Sequence, residues 1–265
     1  MSESMFDRDI AALDSYQLLP RLLYEAMQVD CQCTLLEKPC SSPIIPLVPA
    51  GHLRLEPDCL SMVDAEVLLE HPEHSHLAYS VALLKAARMG ELMPQVRRLA
   101  ALGVAGLALD LSILAETPPY GNEPWRPRSR EDLAELSAAA GMPLWLYGVC
   151  SIADATIASE AGVTGIVVNA DAGLYLGGPA TAEVFPEIFD AVAGSIAVYA
   201  GGPVRSGIDI FRYLAIGAEA VVVDSDRAVL NLRSELEYAM RLTACQTLAD
   251  ISYEAIFTPL FSSEP

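Results

Sequence analysis

The sequence predicts one α/β domain, folded as a closed TIM (β/α)8 barrel with shortened first crossovers and an N-terminal helical segment. The chain has 265 residues, close to the roughly 250 residues that such a barrel needs. Hydrophobic residues make up 52% and charged residues 19%, which is typical of a globular protein. Short apolar runs alternate with helical patterns, which indicates repeated βα units and a parallel sheet.

The predicted domain has three parts. Residues 1–41 form a helical prelude, in which the amphipathic stretch 6–27 is interrupted by Pro20 and is expected to cover the bottom of the barrel. Residues 42–251 form the barrel, and residues 252–265 form a C-terminal tail.

Eight apolar runs predict the barrel strands, at residues 44–50, 65–70, 77–83, 106–112, 143–148, 165–170, 195–201 and 220–224. The connections of the second half include regular helices, such as 151–161 and 207–216, which end at Gly162 and Gly217. The first two connections are too short for a full helix, because a parallel crossover needs at least about 10–12 residues. Either these helices have been trimmed or one strand is misplaced.

A long irregular segment follows the fourth predicted strand. Residues 115–130 read AETPPYGNEPWRPRSR and carry Trp125. A barrel keeps its active face at the carboxyl ends of its strands, so we expect this segment to be a lid.

The charge balance excludes some partners. Lys and Arg total 16 against 35 Asp and Glu, for a formal charge of -19, which disfavours nucleic acids and anionic membranes as partners. The start, MSESMFDRDI, lacks the pattern of a signal peptide, so we expect a cytoplasmic protein. The six cysteines are expected to be reduced thiols, and the C-x-C-x6-C spacing of Cys31, Cys33 and Cys40 lacks a fourth metal ligand.

Candidate functional residues are those at the predicted strand ends. They are mostly acidic or small: Asp110, Ser112, Tyr147, Asn169, Asp171, Gly201, Gly202, Asp224, Ser225 and Asp226. Gly202 and Arg205 lie between a strand and a helix start, where backbone N–H groups and a guanidinium can bind phosphate.

Several long segments resemble one known family. The stretches PLWLYGVCSIADATIASEAGVTGIVV, GPATAEVFPEIFDAV and GGPVRSGIDIFRYLAIGAEAVVV, between residues 143 and 223, are similar to the FMN-dependent α-hydroxy-acid oxidases and dehydrogenases. SPIIPLVPAGH and ELMPQVRRLAALGVAGLALDLS are weaker matches. The resemblance implies a TIM barrel, FMN as the cofactor and a homo-oligomer.

The resemblance also implies where the chemistry should lie, and this chain departs from it there. Tyr147 replaces the family's flavin-stabilising Lys, and a neutral phenol cannot stabilise an anionic reduced flavin as an ammonium would. The family motif S-N-H-G-G-R holds the proton-abstracting His and the carboxylate-binding Arg. At these two positions the chain has Asp171 and Leu174.

The phosphate motif is altered as well. The family's D-G-G-x-R becomes GGPVR at 201–205, which keeps Arg205 but loses the Asp and gains Pro203. The family's Gly-Arg pair after the eighth strand becomes Asp224 and Ser225. A carboxylate about 4 Å from a phosphate costs on the order of 4 kcal/mol at an effective dielectric of about 20, unless Arg227 turns inward.

These observations leave several hypotheses. The first is a degenerate member of the family, a non-catalytic or accessory protein with a small-molecule ligand or a protein partner. The second is an FMN-binding oxidoreductase that uses Asp171 as its base, with Tyr147 beside it and Asp110, Gly202 and Arg205 at the cofactor. Two metal hypotheses are also open, and their ligands would be Asp110, Asp171, Asp224 and Asp226, or else His71, His74 and His76.

Overall fold

The computed structural model describes residues 5–25, 28–48, 58–74, 76–112, 128–171, 177–224 and 227–257. The first elements precede the barrel: α1 (Met5–Asp14), β1 (Gln17–Leu18), β2 (Cys33–Leu35) and β3 (Lys38–Cys40). The predicted prelude helix is therefore correct only for its first part. It ends at Asp14, well before Pro20, and the chain continues into β1.

Eight parallel strands then close into a barrel, with helices between them, which confirms the predicted fold class. The first half contains β4 (Ile44–Val48), β5 (Ser61–Asp64), α2 (Ala65–Glu70), β6 (Ser80–Lys85), α3 (Met89–Leu102) and β7 (Gly106–Asp110). The second half contains α4 (Arg130–Ala140), β8 (Leu144–Val149), α5 (Ile152–Glu160), β9 (Gly165–Val168), α6 (Thr181–Val192), β10 (Ala197–Gly201), α7 (Gly207–Ala215), β11 (Val221–Val223), α8 (Val229–Thr243) and β12 (Ile256–Phe257).

The predicted strand at 65–70 is wrong, because these residues form α2. The barrel strand is β5, immediately before it. The Asp64 side chain accepts a hydrogen bond from the backbone N–H of Glu66 and caps the new helix. The run AEVLLE is rich in good helix formers, and its Ala65, Val67 and Leu68 are buried. Of the two explanations left open by the sequence, a misplaced strand is the right one for the second crossover.

The bottom of the barrel is closed by a hairpin and not by the predicted helix. Leu35 and Cys40, on β2 and β3, belong to the same buried cluster as the inward-facing residues of the barrel strands. Tyr79, which directly precedes β6, donates a hydrogen bond from its hydroxyl to the carbonyl of Pro39 on β3. These contacts lie where strands begin, so the opposite end of the barrel is left for the candidate site.

Two short segments near the beginning and the end of the described chain pair with each other, apart from the barrel sheet. Strand β1 pairs antiparallel with β12, with Gln17 opposite Phe257. Part of the predicted C-terminal tail is therefore a strand. None of the described helices has the length and hydropathy that a membrane span requires.

Candidate functional site

The candidate site is centred on Tyr147, which lies in β8 near the carboxyl end of the strand. Its side chain is 8% exposed, and its hydroxyl accepts a hydrogen bond from Asn169 Nδ2 at 3.0 Å. Asn169 is also buried, and its Oδ1 accepts the backbone N–H of Asp171 at 2.7 Å. One amide side chain therefore fixes both the Tyr147 phenol and the turn that carries Asp171.

Three of the predicted carboxylates act electrostatically on this phenol. Burial raises the pKa of Tyr147 above its ordinary value, and the negative charges of Asp171, Asp110 and Asp224 raise it further. The structure therefore brings together four of the residues predicted from the strand ends. Their joint effect is a negative potential at the mouth of the barrel.

Asp110 is held by its own turn. It lies opposite Tyr147 in the register of β7 and β8. Its Oδ1 accepts the backbone N–H of Ser112 at 2.9 Å and the hydroxyl of Ser112 at 2.6 Å. This carboxylate has a structural task at the strand end, and its predicted role at a cofactor stays a prediction.

The glycine pair after β10 is crowded. A Cβ on Gly201 would lie 2.6 Å from Val167 Cγ1, and a Cβ on Gly202 would lie 2.5 Å from the Tyr213 hydroxyl. Both positions therefore require glycine for packing reasons. The Tyr213 hydroxyl is fully buried and has no hydrogen-bond partner among the described residues.

Arg205, the predicted phosphate ligand, is engaged by two carboxylates. Its Nε and Nη2 donate to Asp209 at 3.0 and 2.8 Å, and its Nη1 and Nη2 donate to Asp14 at 3.1 and 2.7 Å. Arg212 donates to the same two carboxylates. These four side chains, the α1–α7 charge cluster, carry two positive and two negative charges, so the positive charge of Arg205 is balanced.

Asp209 lies at the buried centre of the α1–α7 charge cluster, with a fully buried side chain. Burial by itself would raise the pKa of this carboxyl. The hydrogen bonds and charges of Arg205, together with the charge of Arg212, hold the pKa below its ordinary value. The ionised form of Asp209 is therefore the one built into the fold.

Arg227 does not complete a cationic site either. Its guanidinium contacts Glu235 on α8 and donates to the carbonyl oxygen of Arg205. Asp224 lies exposed just after β11. Ser225 and Asp226 lie outside the described residues.

The metal hypotheses gain no support from the described residues. Among them, no group of three or more His, Cys, Asp and Glu side chains could hold a metal ion. Asp226 and the side chain of His74 lie outside this search. Two other predicted features, Leu174 and residues 115–127 of the lid with Trp125, lie outside the described residues.

Sequence reasoning missed Asp14, Asp209 and Tyr213. Asp209 follows Arg205 by four residues in a predicted helix start, and this spacing is a signal for an ion pair. Asp14 is 191 residues away from Arg205 in the sequence, so no local pattern could have paired them.

Comparisons with known proteins identify the fold and the family resemblance. A family model described as FMN-dependent dehydrogenase matches residues 85–258. A peroxisomal (S)-2-hydroxy-acid oxidase of Oryza sativa subsp. japonica is 26% identical over 97% of this chain and 88% of its own length. An L-lactate oxidase of Roseobacter sp. is 38% identical over 46% of this chain and 37% of its own length.

Solved structures share the architecture. A mandelate oxidase variant with 2-hydroxy-phenylacetamide aligns with a TM-score of 0.80 and 21% identity, covering 98% of this chain and 91% of the other. A lactate oxidase of Pediococcus acidilactici also aligns with a TM-score of 0.80, at 19% identity, covering 95% and 85% of the two chains. At these identities the likeness shows the fold, and it agrees with the observed barrel.

Proposed function

This chain belongs to the family of FMN-dependent dehydrogenases, and from that premise we propose that it is a degenerate member. It does not oxidise α-hydroxy acids and acts as a non-catalytic or accessory protein. The observation that carries the proposal is the engagement of Arg205 by Asp14 and Asp209.

The phosphate of FMN needs positive charge or backbone donors to replace its water shell. In the candidate phosphate turn, the charge of Arg205 is balanced within the α1–α7 charge cluster. Pro203 has no N–H to donate, and the Tyr213 hydroxyl crowds Gly202. The described residues of this turn do not fit a phosphate dianion.

The mouth of the barrel is also unsuited to the substrate class of the family. An α-hydroxy acid is an anion at neutral pH, and it would approach the carboxylates of Asp110, Asp171 and Asp224 around the Tyr147 phenol. Like charges at about 4 Å repel by on the order of 4 kcal/mol at an effective dielectric of about 20. This repulsion supports the loss of hydroxy-acid binding.

The alternative with Asp171 as catalytic base has weak support. A carboxyl becomes a useful base near neutral pH when burial raises its pKa. The Asp171 side chain is instead exposed. Bound FMN would supply the hydride acceptor of the family reaction, and without a fitting phosphate site we derive no step through it.

A protein partner fits the surface of the chain. Leu22 and Leu23 are 73% and 98% exposed, and the neighbouring Arg21 is tied by its backbone N–H to the carbonyl of Leu242 at the end of α8. Large contiguous apolar patches mark protein interaction sites, and we propose that Leu22 and Leu23 belong to such a patch, with a second copy of the chain as the candidate partner. The proposed location is the cytoplasm, where the six cysteines of the chain would stay reduced.

The test is an oxidation assay with a panel of 2-hydroxy acids, with FMN added in excess and with dye reduction and oxygen uptake as readouts. We expect rates equal to those of the protein-free blank, while an active FMN-dependent 2-hydroxy-acid oxidase turns over in the same assay. Turnover that is lost in an Asp171→Asn variant would contradict the proposal and establish the alternative.

A further inference from the structure

The hairpin at the bottom of the barrel places two cysteines directly opposite each other. Strands β2 and β3 are antiparallel, and their register pairs Cys33 with Cys40. The turn between the strands has two residues, Leu36 and Glu37, both with positive φ (47° and 60°). This is the geometry of a type I′ turn, which fixes the register of a hairpin.

The two sulfur atoms lie on the same side of this hairpin. Thr34 and Pro39, which also pair, are exposed, whereas Cys33 is half-buried and Cys40 is 3% exposed. The half-buried Cys33 gives the pair its access to solvent. The alternation of side chains along a strand therefore turns both thiols toward the barrel.

The backbone spacing suits a covalent bond. Directly opposed residues of antiparallel strands have Cα atoms about 4.5–5.5 Å apart. Disulfides span Cα distances of about 4.4–6.8 Å. The pair therefore meets the Cα–Cα condition for a disulfide across the hairpin.

We propose that Cys33 and Cys40 form a two-electron redox site, which a hydroperoxide converts into an intramolecular disulfide across the hairpin. The inference does not depend on the proposed function. It concerns the closed end of the barrel, opposite the candidate site around Tyr147.

The two thiols affect each other's ionisation. Their interaction lowers the pKa of Cys40 and raises that of Cys33, and the Cys40 Sγ donates a hydrogen bond to the carbonyl oxygen of Lys38 at 3.6 Å. Backbone N–H groups of Leu60 and Leu35 lower the pKa of Cys40 further, whereas burial and Asp58 oppose the shift. The thiolate is the nucleophile in thiol chemistry, and whichever sulfur meets the peroxide, the other lies opposite it across the hairpin and can complete the disulfide.

The reaction balances in two steps. The thiolate of one cysteine attacks one oxygen of the hydroperoxide and the O–O bond breaks, which gives a sulfenic acid and, after protonation, water or an alcohol. The sulfur of the other cysteine then attacks the sulfur of the sulfenic acid, the S–S bond forms, and the sulfenic oxygen leaves as water with the proton of the second thiol. The two thiols lose two electrons and the peroxide gains them.

The test is disulfide mapping of the folded chain after treatment with hydrogen peroxide. Remaining thiols are blocked by alkylation, and the chain is then cleaved with a glutamate-specific protease, which cuts after Glu37 between the two cysteines. We expect the peptide that contains Cys33 and the peptide that contains Cys40 to stay joined until a reductant is added. The number of free thiols should fall by two from the six of the reduced chain. Pieces that separate without a reductant would overturn the proposal.

Cys31 supplies the matched control because it lies on the same piece as Cys33. Burial raises the pKa of Cys31 to about 11, so its thiol is expected to be inert. Cys31→Ser should keep the joined pieces and Cys33→Ser should lose them, and pieces that stay joined in Cys33→Ser would contradict the proposed pairing. In the wild type, mass-spectrometric fragmentation of the disulfide-linked peptides between Cys31 and Cys33 also shows which of these two cysteines is bonded to Cys40.

Discussion

At the scale of single residues, the α1–α7 charge cluster has both a structural role and a bearing on function. Asp209 accepts hydrogen bonds from the backbone N–H and the side chain of Arg205, and it also contacts Arg212. Asp14 connects both arginines to α1. The Arg205 guanidinium, which the sequence predicts as a phosphate ligand, instead attaches the N-terminal helix to the barrel.

Replacement of Asp209 should destabilise the fold. Asp209→Ala leaves Arg205 and Arg212 without their buried partner, and loss of one member of a buried ion pair costs about 3–5 kcal/mol. We expect the free energy of unfolding in urea at pH 7 to fall by about 3 kcal/mol. Asp14→Ala, at a side chain that is 46% exposed, should cost about 1 kcal/mol or less, and equal losses in both variants would contradict this account.

Asp9 should make stability depend on pH. This carboxyl is 1% exposed and accepts the backbone N–H of Thr181 at the start of α6. Burial raises its pKa to about 6, above the roughly 3.9 of an unfolded chain. The folded state thus binds the proton more tightly, so this contribution to stability is full below about pH 4 and is lost as the pH rises to about 6.

The measurement compares urea unfolding of wild type and Asp9→Asn at several pH values. Between about pH 4 and pH 6 the free energy of unfolding of the wild type should fall by on the order of 2–3 kcal/mol more than that of the variant. Asp190→Asn, on the exposed side of α6, is the matched control and should retain the wild-type slope. An unchanged slope in Asp9→Asn would show that Asp9 does not titrate in this way.

The sequence identified the residues around Tyr147 because strand ends can be read from local patterns. Asp110 and Asp171 lie at such ends, and the structure places both within electrostatic range of the phenol. The pairing of Arg205 with Asp14 could not be predicted from the sequence, because it depends on where α1 packs. Contacts between distant segments follow from tertiary structure and not from local spacing.

At the scale of elements, α7 and α8 approach each other closely at Gly207. A Cβ on Gly207 would lie 2.2 Å from the backbone nitrogen of Leu236 and 2.5 Å from the carbonyl oxygen of Leu232. Both neighbours are backbone atoms, which cannot rotate away. The helices approach this closely only because residue 207 has no side chain.

Gly207→Ala should therefore cost about 3 kcal/mol or more, at the upper end of the range for an overpacked core. Gly90→Ala is the matched control, since Gly90 lies in α3 and its Cβ would meet no atom within 4 Å. It should raise the free energy of unfolding by up to about 1 kcal/mol because alanine favours the helix. Urea unfolding of both variants tests this, and a neutral Gly207→Ala would disprove the close approach of the two helices.

The elements show where local patterns succeed and where they fail. Seven predicted strands overlap barrel strands, because buried parallel strands are continuous apolar runs. Residues 65–70 were misassigned because a short apolar run fits a strand and a buried helix turn equally well. The Asp64 cap and the helix formers that follow it decide in favour of the helix.

At the scale of the whole molecule, the barrel and the family are confirmed, although the sequence departs from the family pattern at the strand ends. The interior is filled by large side chains, including Trp145 and Tyr199 with ring centroids 4.4 Å apart. Such packing depends on the volume and pattern of many residues, so it survives the replacement of a few polar ones. Fold and family could be predicted for this reason. Activity depends on a few side chains, and their contacts become known only from the structure.

The central claim is that this barrel has lost its site for the flavin phosphate, and the most direct measurement is a titration with FMN and, in parallel, with riboflavin, followed by flavin fluorescence. The account predicts a colourless purified protein, no saturable binding of FMN at micromolar concentrations, and no preference for FMN over riboflavin. A yellow protein, or micromolar FMN binding that riboflavin does not match, would show that a phosphate is bound and would contradict the account.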